Sequence, residues 1–211
     1  VWLMAVSYPL SLPTHTRMAQ VDLRSINVVA YGRSQFTFAG QAHVYPGKLW
    51  SIDVTLPPMK RTDAEKWAAW MVSLKGLEGT FYMGDQLAQF PMGSARDADT
   101  ILINGATSSG DTLAIDDAPA SQTGYLKAGD YLHVGTSTDR QLFKVLSDVD
   151  TDGTGAATVD VWPNVRTSIA DNAAVTVQEP QGVFRLATND QAWSVNNLAV
   201  FGLSFSAREA I

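Results

Sequence analysis

One acidic stretch contains the first half of a calcium-binding loop. Asp148, Asp150 and Asp152 are followed by Gly153, which places carboxylates at positions 1, 3 and 5 and a glycine at position 6 of such a loop. The twelfth position, where a bidentate glutamate closes an EF-hand, is Val159. An EF-hand is therefore excluded, and the mixture of aspartate and glycine predicts a solvated β-hairpin turn instead.

The remaining reactive side chains form no recognisable catalytic pattern. His15, His43 and His133 are widely separated in the sequence, and the chain has no cysteine. Neither a shared metal site nor thiol chemistry is expected from this distribution. The nucleotide-binding glycine patterns and the hydrolase nucleophile elbow do not occur, and the pair Asp116–Asp117 before Ala-Pro predicts a turn. We therefore predict a protein that is not an enzyme and needs no cofactor.

Two aromatic residues of the acidic region offer a different kind of site. Tyr131 and Trp162 could stack on a sugar ring, with Asp160 and Asn164 close to Trp162 in sequence for hydrogen bonding. The competing interpretation is that both rings pack in the core of a small β-barrel. The sequence favours core packing and keeps carbohydrate binding as the alternative.

Charge and aromatic content divide the chain in the same places. Residues 1–90 hold 8 Lys and Arg against 6 Asp and Glu, residues 91–182 hold 5 against 13, and residues 183–211 hold 2 against 2. Of the 20 aromatic residues, 16 lie outside the acidic middle region. We therefore predict one domain made of residues 1–90 and 183–211 and an inserted domain made of residues 91–182. The net charge of −6 argues against nonspecific binding of nucleic acid.

The first part of the chain is predicted to be extended and β-rich. The prolines of the segment Tyr8–Pro13 favour an extended arm. Residues Ile26–Tyr31 and Ser34–Ala39 are predicted strands, and Trp50–Leu56 alternates apolar and polar residues. Pro46-Gly47 suits a type II turn, which predicts a hairpin over residues 41–56.

One segment has helical spacing. Thr62–Glu65 fits a capping box, and apolar residues follow at helical intervals up to the stop signal Lys75-Gly76. Further strands are predicted at Thr80–Met83, Val183–Ala187 and Ala199–Ala207. Short apolar runs of the acidic region predict a small barrel or sandwich; they are Ile101–Ile103, Thr112–Ile115, Tyr131–Val134, Gln141–Leu146, Ala157–Val161 and Val175–Gln178. The predicted fold class is all-β with one α-helix, a β-sandwich that carries an inserted small β-barrel or β-sandwich.

Several segments occur in a distinctive order. A start of the form MAVSYPLSLP at residues 4–13 precedes the Trp50–Leu56 strand and the helix that continues as WAAWMVSLKGLEGTFYMGD over residues 67–85. Within the acidic region follow KAGDY, QLFKV and ATVDVWP, with Arg166 just beyond. This order resembles the distal tail proteins of siphophages and gene transfer agents, in which a helix with a similar tryptophan and glycine pattern precedes a β-rich insertion. The resemblance covers most of the chain.

The resemblance implies a structural protein of the virion. Such proteins form a tail-tube-like β-sandwich, and six copies assemble into a ring at the tail tip with their insertions outside. The ring would join the tail tube protein to the tail hub protein and the tape-measure protein, and DNA would only pass through its lumen. The protein would be made in the host cytoplasm and would need no membrane.

Two segments have the geometry to reach a neighbouring subunit of such a ring. The first is the extended arm, with Tyr8, Pro9 and Pro13, and the second is the predicted hairpin turn, with Tyr45, Pro46 and Gly47. A carbohydrate-binding adhesin and another tube-like tail protein remain the alternative functions. Solution size and glycan binding would separate the first alternative from the ring.

Overall fold

The residues that the structure describes fold into two β-sheets and one α-helix. The computed structural model describes residues 6–13, 18–96, 98–107, 109–195 and 200–210. Over these residues the structure is mostly β, with a single α-helix, and the predicted fold class is confirmed. No helix in the described part of the chain is both long and apolar enough to cross a membrane.

The helix α1 and the strands have the following bounds. They are β1 (Gln20–Arg33), β2 (Gly40–Thr55), β3 (Met59–Lys60), α1 (Arg61–Ser73), β4 (Thr80–Met83), β5 (Leu102–Ile103), β6 (Thr112–Asp116), β7 (Tyr131–Val134), β8 (Gln141–Val145), β9 (Ala157–Trp162), β10 (Val175–Thr176), β11 (Gly182–Leu186), β12 (Trp193–Val195) and β13 (Val200–Glu209).

The first sheet is built from both ends of the chain. Its strands follow the order β1-β2-β13-β11-β4, and β3 and β12 flank the first half of β13. Trp50, Ile52 and Val54 of β2 are buried, as are Phe201 and the alternate residues that follow it in β13. The alternation predicted for both strands is confirmed, because one face of each covers the same core.

Helix α1 packs its two tryptophans onto this sheet. The ring of Trp67 lies 5.5 Å from that of Trp70, which in turn lies 4.9 Å from Phe81 and 5.6 Å from Phe205. Leu74 caps the C-terminal end, and Lys75 and Gly76 both adopt positive φ, so the predicted stop is confirmed.

The predicted capping box is wrong. The N-cap is Lys60, and no side chain caps the helix. Because β3 runs directly into α1, the helix begins before Thr62, which lies within its first turn. The exact start was fixed by the pairing of β3 with β13, a long-range contact that a local motif does not contain.

The middle of the chain forms the second sheet. Its strand order is β10-β7-β8-β9-β6-β5. Hydrogen bonds from Ile103 N to Ala173 O and from Val175 N to Ile101 O join its two edges, so that the sheet nearly closes into a barrel. Its own apolar core contains Leu113, Phe143, Val159 and other buried residues of the same sheet.

Two predictions for the N-terminal part are wrong. Ser34–Ala39 is not a strand but the turn that joins β1 to β2. Residues 41–56 are not a hairpin, because β2 is one continuous strand from Gly40 to Thr55. The long hairpin is therefore β1–β2, and Pro46-Gly47 lies within β2 rather than at a turn.

The segment predicted as an arm contacts its own chain. Leu10 N donates to Thr80 O at 2.8 Å and Leu10 O accepts from Tyr82 N at 2.9 Å, which forms a parallel bridge to β4. The Tyr8 hydroxyl donates to Ser73 O at 2.6 Å, at the end of α1. The segment thus covers the edge of the first sheet at β4.

Candidate functional site

The β1–β2 hairpin extends beyond the rest of the first sheet. The two strands pair from Gln20 opposite Thr55 to Arg33 opposite Gly40. β13 pairs with β2 only along residues 51–55. Among the described residues, the two strands from Trp50 outward therefore pair only with each other, over roughly 30 Å at about 3.3 Å per residue.

This outer part of the hairpin exposes many large apolar side chains, which is unusual for a two-stranded ribbon in water. Between 36% and 96% of each is accessible; they are Ile26, Val28, Val29, Tyr31, Phe36, Phe38, Val44 and Tyr45. The four Tyr and Phe side chains alone, at about 150–250 Å² each, expose on the order of 550 Å², a large part of the ~800 Å² that each partner contributes to a standard interface. The hairpin has the apolar area of a protein interface.

The two sheet edges differ in how they are covered. β1 is an edge strand, and among the described residues the outer half of β2 pairs only with β1. The opposite edge, β4, is covered by the bridge to Leu10. Free N–H and C=O groups of an edge strand can pair with another chain. The hairpin therefore combines apolar area with backbone groups suited to strand addition.

A bulge interrupts the one-to-one pairing of the hairpin just beyond its base. Asn27 lies opposite Lys48, but Val29 lies opposite Val44, so Val28 faces the three residues 45–47. These are Tyr45, Pro46 and Gly47, the residues predicted for intersubunit contact. Pro has no N–H for a ladder bond and is suited to a bulge, which increases the local twist. The signal read as a turn thus marks an irregularity inside one strand.

Trp50 joins the hairpin base to the inserted barrel. Its indole N–H donates to Leu142 O at 3.1 Å, and its ring meets the Trp162 ring edge-on at 4.4 Å. The Tyr131 ring lies 5.9 Å from that of Trp50. Tyr131 is 6% exposed and Trp162 is half-buried. Both predicted sugar-contact residues therefore pack between the two sheets, which leaves little of either ring for a sugar.

A buried ion pair crosses the same boundary. The Arg166 guanidinium donates to both carboxylate oxygens of Glu209, at 2.5 and 2.6 Å. The two side chains are 9% and 2% exposed. Glu209 also accepts from the backbone N–H of Trp50 at 3.1 Å. This pair was not predicted from the sequence. The sequence feature that could have indicated it is a charged residue, Glu209, at a buried position at the end of the alternating strand β13.

Three further contacts reach the outer side of the hairpin base. The Trp162 indole N–H donates to Asn27 Oδ1 at 2.9 Å, and Lys48 Nζ lies 2.7 Å from an Asp111 carboxylate oxygen. Arg166 also donates to the carbonyl of Lys48 at 3.4 Å. Asn27 and Lys48 are a paired position of β1 and β2, so both strands are held at one level.

The three aspartates of the half calcium loop bind protein groups. Asp148 pairs with Lys127 at 2.8 Å and accepts from Ala128 N, and these contacts lower its pKa. Asp150 accepts from Gly124 N, and the Thr154 contacts of Asp152 lower the pKa of Asp152. In the described residues no group of three or more His, Asp or Glu is placed to hold a metal ion.

The histidines of the described residues lie on different elements. His133 in β7 is buried, and its Nδ1 accepts from Gln181 N at 3.3 Å. Burial and the nearby Arg140 lower the pKa of His133 to about 3. His43 is exposed on the hairpin, and His15 lies outside the described residues. The buried His133 thus accepts a hydrogen bond where the barrel meets the start of β11.

Comparison with known proteins adds no assignment. No protein-family model matches the sequence, and no curated protein matches it significantly. The functional proposal therefore depends on the hairpin, on the boundary between the two sheets and on the resemblance of the sequence segments.

Proposed function

We propose that this protein is a structural component of a phage tail tip that assembles with copies of itself into a ring, with six subunits as in distal tail proteins. The ring would link the tail tube protein to the tail hub and tape-measure proteins and let DNA pass. The single observation that supports self-assembly best is the β1–β2 hairpin, which exposes eight large apolar side chains and free strand edges.

Assembly would bury the apolar side chains and the strand edges that a single chain leaves exposed to water. Two-stranded ribbons are marginally stable alone, and exposed edge strands favour contact with another chain. A ring needs contacts between two different surfaces of neighbouring subunits, and a long projecting hairpin can reach one neighbour while the body of the same subunit receives the other.

Light scattering after size-exclusion chromatography and negative-stain images test the proposal. We expect six-fold rings for the unaltered chain. The double substitution Val29→Glu and Val44→Lys replaces a cross-strand apolar pair with opposite charges, which keeps the strands compatible. This variant should remain folded by circular dichroism but should be monomeric, because it removes the apolar contact.

The control is Val72→Lys, which changes an exposed apolar residue of α1 away from the hairpin. It should still form rings. An unaltered chain that stays monomeric at high concentration would refute self-assembly, and binding of that monomer to a glycan array would favour the adhesin function instead.

A further inference from the structure

We infer that the inserted barrel orients the assembly hairpin, through a clamp in which Asp111, Trp162 and Arg166 hold Asn27 and Lys48. This inference depends on the proposed assembly function, since it assigns to the insertion the control of that same hairpin. The barrel would then set the direction of the hairpin, in addition to lying on the outside of the tail tip.

The clamp begins where β2 loses its strand neighbour. The last pair between β13 and β2 is Arg208 with Ser51. At the next residue, Trp50, the backbone N–H donates to the Glu209 side chain instead of to a strand carbonyl. Glu209 is held in turn by both terminal nitrogens of Arg166, which belongs to the inserted segment. The insertion therefore holds, through Arg166, the β13 side chain that binds β2 beyond the last strand pair.

The next level outward is held on both strands. Trp162 donates to the side chain of Asn27 on β1, at 2.9 Å. Asp111 pairs with Lys48 on β2, at 2.7 Å, and the Lys48 side chain is only 17% exposed. Contacts from one rigid barrel to both strands of a ribbon resist bending and twisting at that level, whereas a contact to one strand would leave twisting free.

The clamp ends immediately before the bulge. Val28, the first residue beyond Asn27, lies opposite residues 45–47. A bulge sets a bend relative to the strand segment before it, so the direction of the outer hairpin is defined only if that segment is fixed. Because β13 does not pair with this segment among the described residues, the barrel contacts are what fix it.

Distance measurements between two spin labels test the clamp directly. The chain has no cysteine, so Gln35→Cys at the hairpin turn and Ala170→Cys on the barrel provide unique label sites. Both positions are exposed. Labelled chains diluted with an excess of unlabelled chains should give a narrow distance distribution. In the double variant Asn27→Ala and Asp111→Asn, and in Trp162→Phe, the distribution should become at least about twofold wider.

The matched control is Asp148→Asn, which removes the ion pair to Lys127 within the insertion without touching the hairpin. It should leave the distribution unchanged. Equal widths in the clamp variants and the unaltered chain would overturn the clamp, even if rings still form. A wider distribution in a chain that never forms rings would support the clamp while refuting the assembly function.

Discussion

At the scale of single residues, Trp50 shows why a particular side chain is needed where the two sheets meet. Its indole N–H donates to Leu142 O, its ring packs edge-on against Trp162, and its backbone N–H is bound by Glu209. Phenylalanine would keep much of the packing but would leave the buried Leu142 carbonyl without this donor. Tryptophan combines a large apolar body with one donor, and both are used here.

His133 gives the fold a pH dependence with a defined direction. Its pKa is about 3 in the folded chain because of burial and Arg140, against 6.5 for the unperturbed side chain. As the pH falls, the His133 imidazole is therefore protonated at a higher pH in the unfolded chain than in the folded chain. Stability that is fully present above pH 6.5 is lost as the pH falls toward 3. We expect the free energy of unfolding to fall by about 1.4 kcal/mol per pH unit in this window from His133 alone.

Urea unfolding of His133→Gln between pH 4 and 6 measures this contribution. The variant should show a shallower pH dependence than the unaltered chain, because glutamine can still accept from Gln181 N without taking up a proton. His43→Gln, on the exposed hairpin, is the control and should keep the original slope. Parallel slopes for the unaltered chain and His133→Gln would contradict the assignment.

At the scale of elements, the bulge should decide the direction of the hairpin. Deleting Pro46 and Gly47 would place Val28 opposite Tyr45 and restore one-to-one pairing. Because side chains keep their faces, the strands should remain paired, but the bend should be lost. We expect a folded chain with an unchanged melting profile by circular dichroism that no longer forms rings in negative-stain images.

Pro46→Ala is the matched control, since it keeps three residues opposite Val28. Rings should persist in this variant. If the deletion variant assembled as well as the unaltered chain, the bulge would be irrelevant to assembly and the apolar side chains alone would be responsible.

The elements also show what local patterns can predict. Strand Trp50–Thr55 and the second half of β13 follow from alternation, because one face of each is buried and the other is not. The outer part of the hairpin does not follow this alternation, because its apolar residues lie on both faces and are exposed. Pro46-Gly47 is a common turn sequence, but here it lies in a bulge. The pairing of the two strands defines this bulge, and the local sequence does not. Arg166 and Glu209 are 43 residues apart, and no local pattern connects them.

At the scale of the whole molecule, the two sheets have separate apolar cores that meet around Trp50. The core of the first sheet includes Tyr131 and Leu142, which belong to the inserted barrel, beside Trp50. Among the described residues, the barrel core contains only residues of the middle segment. Few apolar side chains therefore join the two cores by packing, and the Arg166–Glu209 ion pair lies next to these side chains.

This arrangement predicts that the two cores unfold together only while the connection is intact. Calorimetry should show one transition, with equal calorimetric and van't Hoff enthalpies. Glu209→Ala leaves the Arg166 charge buried without its partner, which typically costs about 3–5 kcal/mol, and it removes the acceptor of Trp50 N. The melting curve should then split into two transitions, one for each core.

Asp148→Asn, which alters only an exposed pair of the barrel, should preserve the single transition. Two transitions in the unaltered chain would mean that the connection does not couple the sheets, and the barrel could not then fix the hairpin.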